Sequence, residues 1–164
     1  MHTWFECKIR YEKTMENGMN KKVTEPYLVD ALSFTEAEAR IIEEMTPFIS
    51  GEFTVSDIKR ANYSELFPCE EEAADRWFKC KLVFITLDEK SGAEKKTSTQ
   101  VLVQAADLRD AVKKLDEGMK GTMADYQIAS VAETAIMDVY PYEPNETEDD
   151  SNTEVSRFIN RFPE

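Results

Sequence analysis

Few side chains in this sequence are of a type that could do covalent chemistry. The cysteines are Cys7, Cys69 and Cys80, and the single histidine is His2. No cysteine pair has the spacing of a metal knuckle or redox motif, and a zinc site needs ligands the chain scarcely has. Cys7 and Cys80 fall on apolar, alternating stretches, where a thiol reads as a small core residue. His2 sits at a fraying terminal position, so a Ser–His or Cys–His mechanism has no base. Carboxylates are plentiful, but Glu43 and Glu44 read as an exposed helix face without the desolvated pocket that general acid–base work needs. The runs Glu70–Glu72 and Glu146–Asp150 lack the ligand order of a calcium loop. The expectation is no catalytic residue, no metal, no cofactor and no enzyme.

Groups suited to binding are more numerous. Trp4-Phe5-Glu6-Cys7-Lys8 reappears as Trp77-Phe78-Lys79-Cys80-Lys81. In each copy period-two alternation places Phe5, Cys7, Ile9 and Tyr11, or Phe78, Cys80, Leu82 and Phe84, on one strand face. Trp4 and Trp77 then fall on the opposite face. Leu28 and Leu102 join them from the strand that follows. Either this second apolar face is covered, or it is an aromatic-anchored binding surface, framed by Lys8, Arg10, Lys79 and Lys81. Lys21-Lys22 and Lys95-Lys96, just past two turns, could touch phosphates. As edge-strand lysines they could equally keep sheets from aggregating.

The elements that must position these groups also come twice. Glu16-Asn17-Gly18 and Lys90-Ser91-Gly92 are turn sequences. Second strands follow, with Tyr27, Val29 and Ala31, or Val101, Val103 and Ala105, facing inward. Pro26 cannot donate to a ladder and predicts an edge or a bulge. Ser33-Phe34-Thr35-Glu36 is a capping box, and Asp107 with Asp110 is a weaker counterpart. The apolar stripes Phe34, Ala37, Ile41, Met45 then Phe48, and Leu108, Ala111, Leu115, Met119, predict one amphipathic helix per copy. A last extended stretch closes each copy, and the change of phase between Val55 and Ile58 predicts a bulge.

The fold class that follows is α+β. It is a tandem duplication of strand–strand–helix–strand units, each a three-stranded antiparallel sheet covered by one helix, related by a pseudo-twofold axis. The units are residues 1–67 and 76–141, joined by a charged linker at 68–75. Residues 142–164 form an acidic tail with a short apolar end at Phe158, Ile159 and Phe162, whose docking is expected.

Composition sets further bounds. The chain has 164 residues, 41% hydrophobic and 32% charged, with 33 acidic against 20 basic side chains and a net charge of −13. That charge disfavours general affinity for phosphate backbones and fits a protein partner with a basic face. No run approaches a membrane span. The N-terminus has no basic start and apolar core of a signal peptide. These features predict a cytoplasmic protein that does not engage membranes.

The segments Trp4-Phe5-Glu6-Cys7-Lys8-Ile9-Arg10-Tyr11-Glu12-Lys13 and Tyr27-Leu28-Val29-Asp30-Ala31-Leu32-Ser33-Phe34-Thr35-Glu36-Ala37-Glu38-Ala39 resemble a family of small Bacteroidetes proteins catalogued as domain of unknown function 4494. The resemblance runs through Tyr63 and again from Trp77 to about Val139. It implies a bacterial cytosolic protein and carries no activity or site residue. The functional expectation is an interaction protein that binds a macromolecule, most readily a protein, through its sheet faces or acidic tail. The alternatives are a nucleic-acid module using the Lys-Lys hairpins with Trp4 and Trp77, and a small-ligand binder or enzyme with a pocket between the repeats.

Overall fold

The computed structural model describes residues 2–142, and the tail beyond Tyr142, with its expected docking segment, lies outside them. The fold is α+β. In chain order the elements are β1 (Trp4–Thr14), β2 (Asn20–Asp30), α1 (Phe34–Met45), β3 (Phe53–Ala61), β4 (Glu65–Phe67), β5 (Arg76–Leu87), β6 (Glu94–Ala105), α2 (Leu108–Gly118), β7 (Asp125–Glu133) and β8 (Val139–Tyr140). They form two compact units. The first runs up to Asn62 and takes back the chain from Ala135; the second runs from Tyr63 to Thr134.

The hairpins form where the turn residues demand. Gly18 and Gly92 have φ of 83° and 69°, a region that L side chains rarely adopt. Beside them the Asn17 carboxamide accepts from the Met19 amide at 3.0 Å, and the Asp88 carboxylate accepts from the Lys90 amide at 3.0 Å. β1 and β2 pair antiparallel with Phe5 opposite Val29; β5 and β6 pair with Phe78 opposite Val103. β3 and β7 add to the other side of β1 and β5. The expected bulge is present: Lys8 faces Asp57 while Ile9 faces Val55, which leaves Ser56 extra. The second unit has the same irregularity between Lys81 and Leu82, which leaves Ala129 extra.

Both helices are capped alike. Ser33 Oγ accepts from the Glu36 amide, and the Glu36 carboxylate returns to the Leu32 amide, each at 3.1 Å. Asp107 accepts from the Asp110 amide at 2.8 Å, and Asp110 returns to the Ala106 amide at 3.0 Å. The second cap is therefore as complete as the first. The buried helical stripes are narrower than the sequence pattern implies. Ala37, Ile41 and Met45, and Ala111 and Leu115, are buried, whereas Phe34, Leu108 and Phe48 are at least half exposed. Phe34 begins its helix at the rim, where its ring meets Phe5 edge-on at 4.9 Å.

Each sheet has a fourth strand, and this corrects the three-stranded expectation. The orders are β3-β1-β2-β8 and β4-β6-β5-β7. β8 runs parallel to β2 through Leu28–Val139 and Val29–Tyr140. β4 runs parallel to β6, with Phe67 beside Val103. By sequence Phe67 ends the first repeat and Tyr140 the second. Yet Phe67 packs into the core of the second unit and Tyr140 into that of the first. The sequence repeats are thus not the compact units, because each gives its last strand to the other's sheet. Gly118 provides the room for Phe67: a Cβ there would stand 2.9 Å from the Phe67 ring.

Candidate functional site

The second apolar face is buried. Trp4 is 5%, Trp77 4%, and Leu28 and Leu102 0% exposed, and none of the four belongs to the helix-covered cores. The His2 ring stacks on Trp4, with centroids 5.2 Å apart. The Trp77 carbonyl accepts from both the amide and the hydroxyl of Thr134, each at 2.9 Å, where the chain leaves β7. Of the two readings the sequence left open for these four residues, burial fits the covered face, and large apolar side chains at this depth contribute to the fold.

The cations predicted to frame that face sit on the same strand faces, further toward the hairpins. Strand alternation gives the first sheet an outer row of Glu6, Lys8, Arg10 and Glu12. Opposite these stand Leu28, Pro26, Thr24 and Lys22 on one side, and Lys59, Asp57 and Thr54 on the other. Charge there is mixed and partly paired, with Lys59 Nζ 3.9 Å from Glu6. An open cleft of about 570 Å³ near the hairpin end includes Arg10 and Lys22 with Glu12 and Glu52 in its lining.

The lysine pairs do not converge. Lys21 stands opposite Lys13 and Lys22 opposite Glu12, on successive and therefore opposite strand faces. Lys95 and Lys96 divide in the same way, opposite Thr86 and Ile85. All four are exposed. They lie on the part of β2 and β6 that β8 and β4 do not cover, where an edge lysine blunts strand addition.

One constellation went unpredicted. Asp30 is the buried charged residue of the described chain, 6% exposed. Its carboxylate accepts from the Thr3 amide at 3.1 Å and the Tyr142 amide at 3.4 Å, and it meets Nδ1 of His2. His2 is therefore tied down rather than frayed. The Arg40 guanidinium donates to the Asp30 carbonyl and, at 3.2 Å, to that of Pro141, and it lies 5.7 Å from the Tyr142 ring centre. The second unit repeats this arrangement with other residues. Gln104 accepts from the Cys69 amide at 2.8 Å, and Lys114 Nζ reaches Asp110 at 2.8 Å and Glu71 at 3.2 Å. Burial pulls the Lys114 pKa down, but the hydrogen bonds it makes to Asp110, Cys69 and Glu71 outweigh that and hold the group well above its ordinary value. The Lys114 hydrogen bond in turn lowers Glu71. Residues 68–75 are thus docked rather than a free linker, and Ala74 is buried. The signal for both clamps was in the sequence. Leu28-Val29-Asp30-Ala31 and Leu102-Val103-Gln104-Ala105 each break an apolar run with one polar side chain.

Reactive groups are held inert. Burial raises Cys7 to about 12, helped by the charges of Glu6 and Asp57, and raises Cys80 to about 11. A neutral, covered thiol is a poor nucleophile. Tyr11 and Tyr27 both donate to Glu25 Oε1, at 2.8 and 3.3 Å, and Lys13 lies 3.6 Å from the other oxygen. Burial is the largest cause raising Tyr11, to about 12, and also raises Tyr27; Glu25 adds to both. No group of three or more metal-ligating side chains occurs among the described residues. No described helix is long and apolar enough to cross a membrane.

Residues 3–142 match the family described as domain of unknown function DUF4494, and the chain belongs to that family. No curated protein matches it.

Proposed function

We propose that this member of the family is a non-enzymatic interaction protein that engages a macromolecular partner through the outer faces of its sheets. The observation that carries the reading is the division of those faces. Next to the buried Trp–Leu rows, each face continues into exposed polar and cationic side chains, among them Arg10, Lys79 and Lys81. A rigid sheet presenting fixed side chains is a sound scaffold for recognition. The alternative contact, the acidic tail, lies outside the described residues. The nucleic-acid reading loses its stacking rings to burial, and its lysine pairs point apart. The small-ligand or enzyme reading draws no support from the clefts within the first unit, which are open and mixed in charge.

The test is affinity capture with the full chain, comparing wild type with Lys8→Glu/Arg10→Glu and Lys79→Glu/Lys81→Glu. Thermal melts should stay matched, because Arg10, Lys79 and Lys81 are exposed and Lys8 is only partly covered. A saturable partner, lost with one pair of substitutions, is the expected result. Capture indifferent to both pairs, or no saturable partner, refutes the proposal.

A further inference from the structure

Resting on that reading, we infer that the outer face of the second sheet binds a short acidic segment of a protein partner. Its rows are Lys79 between Leu102 and Ala132, Lys81 between Gln100 and Ser130, Val83 between Ser98 and Gln127, and Ile85 between Lys96 and Asp125. The next row on this face sets Leu87 beside Glu94, so three lysines stand against two carboxylates, Asp125 and Glu94, both at the hairpin end. Among the described residues the ion pairs of this unit are Arg76–Glu133, Lys114–Glu71 and Lys114–Asp110. None of them involves Lys79, Lys81 or Lys96, and all three lysines are exposed.

The corresponding face of the first sheet is built differently. There Lys59 pairs with Glu6, Lys8 stands opposite Asp57, and Lys22 stands opposite Glu12. In a chain of net charge −13, a face where lysines outnumber carboxylates, with Lys79 and Lys81 away from both Asp125 and Glu94, makes a local positive field suited to an anionic group. Between them stand Ser98, Gln100, Gln127 and Ser130, whose hydroxyls and carboxamides can donate to carboxylate oxygens.

The dimensions choose between classes of anion. From the Lys79 row to the Ile85 row the face is roughly 20 Å long, and three strands make it roughly 10 Å wide. That matches about six extended residues. A long phosphate backbone would run off this patch onto a net acidic surface, and the ring that could stack bases, Trp77, is 4% exposed. A short acidic peptide segment meets the field without that cost.

The experiment is fluorescence anisotropy on the full chain. The probes are a labelled dodecapeptide carrying six Glu and Asp, its Gln/Asn counterpart, and a single-stranded oligonucleotide of equal charge. The acidic peptide should bind and the neutral one should not, with affinity falling as salt rises from about 50 to about 200 mM. Lys79→Glu/Lys81→Glu/Lys96→Glu should weaken peptide binding by about tenfold or more, against less than about threefold for Lys8→Glu/Arg10→Glu/Lys22→Glu. Equal losses in the two variants, tighter binding of the oligonucleotide, or no peptide binding at low salt would overturn the inference. So would peptide binding that emerges only when Glu146, Glu148, Asp149 and Asp150 are neutralised, because the occupant would then be this chain's own acidic stretch. If a partner is captured through Lys8 and Arg10 instead, the interaction reading stands and this assignment fails.

Discussion

Replacing Asp30 tests whether the clamp at the end of β2 is what holds β8 in the first sheet. Asp30→Ala removes the acceptor for the Thr3 and Tyr142 amides and the partner of His2. A buried donor left without an acceptor costs about 1–3 kcal/mol. Tyr142 is exposed and the His2 side chain is 53% exposed, so both can turn to water. The half-buried Thr3 amide bears most of the penalty. Relief from burying a carboxylate offsets part of it, which leaves a net destabilisation of about 2 kcal/mol. Asp30→Asn keeps a carboxamide oxygen, the group that Gln104 uses at the matching place to hold the Cys69 amide. Its cost should be about half as large.

The assay is urea denaturation of the full chain together with amide hydrogen exchange. The Leu28 amide, which donates to the Asp138 carbonyl at 3.0 Å, reports on the docked segment before β8. Its protection should fall about tenfold or more in Asp30→Ala, with Val103 in the second unit little changed. An alanine variant within about 0.5 kcal/mol of wild type would refute the reasoning, and so would an asparagine variant as unstable as the alanine one.

Two further outcomes follow from burial. Trp4→Ala and Trp77→Ala should each destabilise the fold by about 3–5 kcal/mol in denaturant titration, whereas losses below about 1 kcal/mol would place the rings at the surface. The contribution of the two buried thiols to stability should be constant below pH 9 and decline above it. The native state keeps the protons of Cys7 and Cys80 up to about 12 and about 11, against an ordinary value of 9.0, while the unfolded chain has released them. Each group then removes about 1.4 kcal/mol per pH unit within its window. Stability rising between pH 9 and 11, or a thiol reagent reaching Cys7 or Cys80 before Cys69 in the native state, would contradict this account.

Elements with a period were legible in the sequence. Alternation around Phe5 and Phe78 marks the central strands, the residues around Gly18 and Gly92 mark the turns, and spacing of three and four marks both helices. The phase change at Val55 and Ile58 marks the bulge, because one extra residue must reverse the faces. The exchanged strands carried no such signal. β4 has three residues and β8 two, too few to show a period, and their parallel partners are distant in the chain. Phe67-Pro68 and Tyr140-Pro141 could be matched as repeat ends, but nothing local says which sheet they join. Asp30 stood out as a polar break in an apolar run, but its partners did not, for a related reason. Its role depends on amides of Thr3 and Tyr142, from opposite ends of the described chain.

Net charge was the least informative guide to the proposed binding face. A value of −13 averages over all directions and argues for a basic partner. Screening limits the field that a ligand meets to about 8–10 Å at physiological salt, so recognition depends on which charges share a face. Strand alternation sorts them. In β1, Glu6, Lys8, Arg10 and Glu12 fall on one side together and meet Asp57 and Lys59 from β3, so their signs largely cancel. In β5, Lys79 and Lys81 meet Ala132 and Ser130 from β7 and nothing of opposite sign. The strands themselves differ too: counting from Trp4 and Trp77, β1 has Glu6, Arg10 and Glu12 where β5 has Lys79, Val83 and Ile85. An acidic protein can therefore carry a sheet face on which cations outnumber carboxylates, and Ser130 opposite Lys81, where the first sheet sets Asp57 opposite Lys8, contributes to that difference.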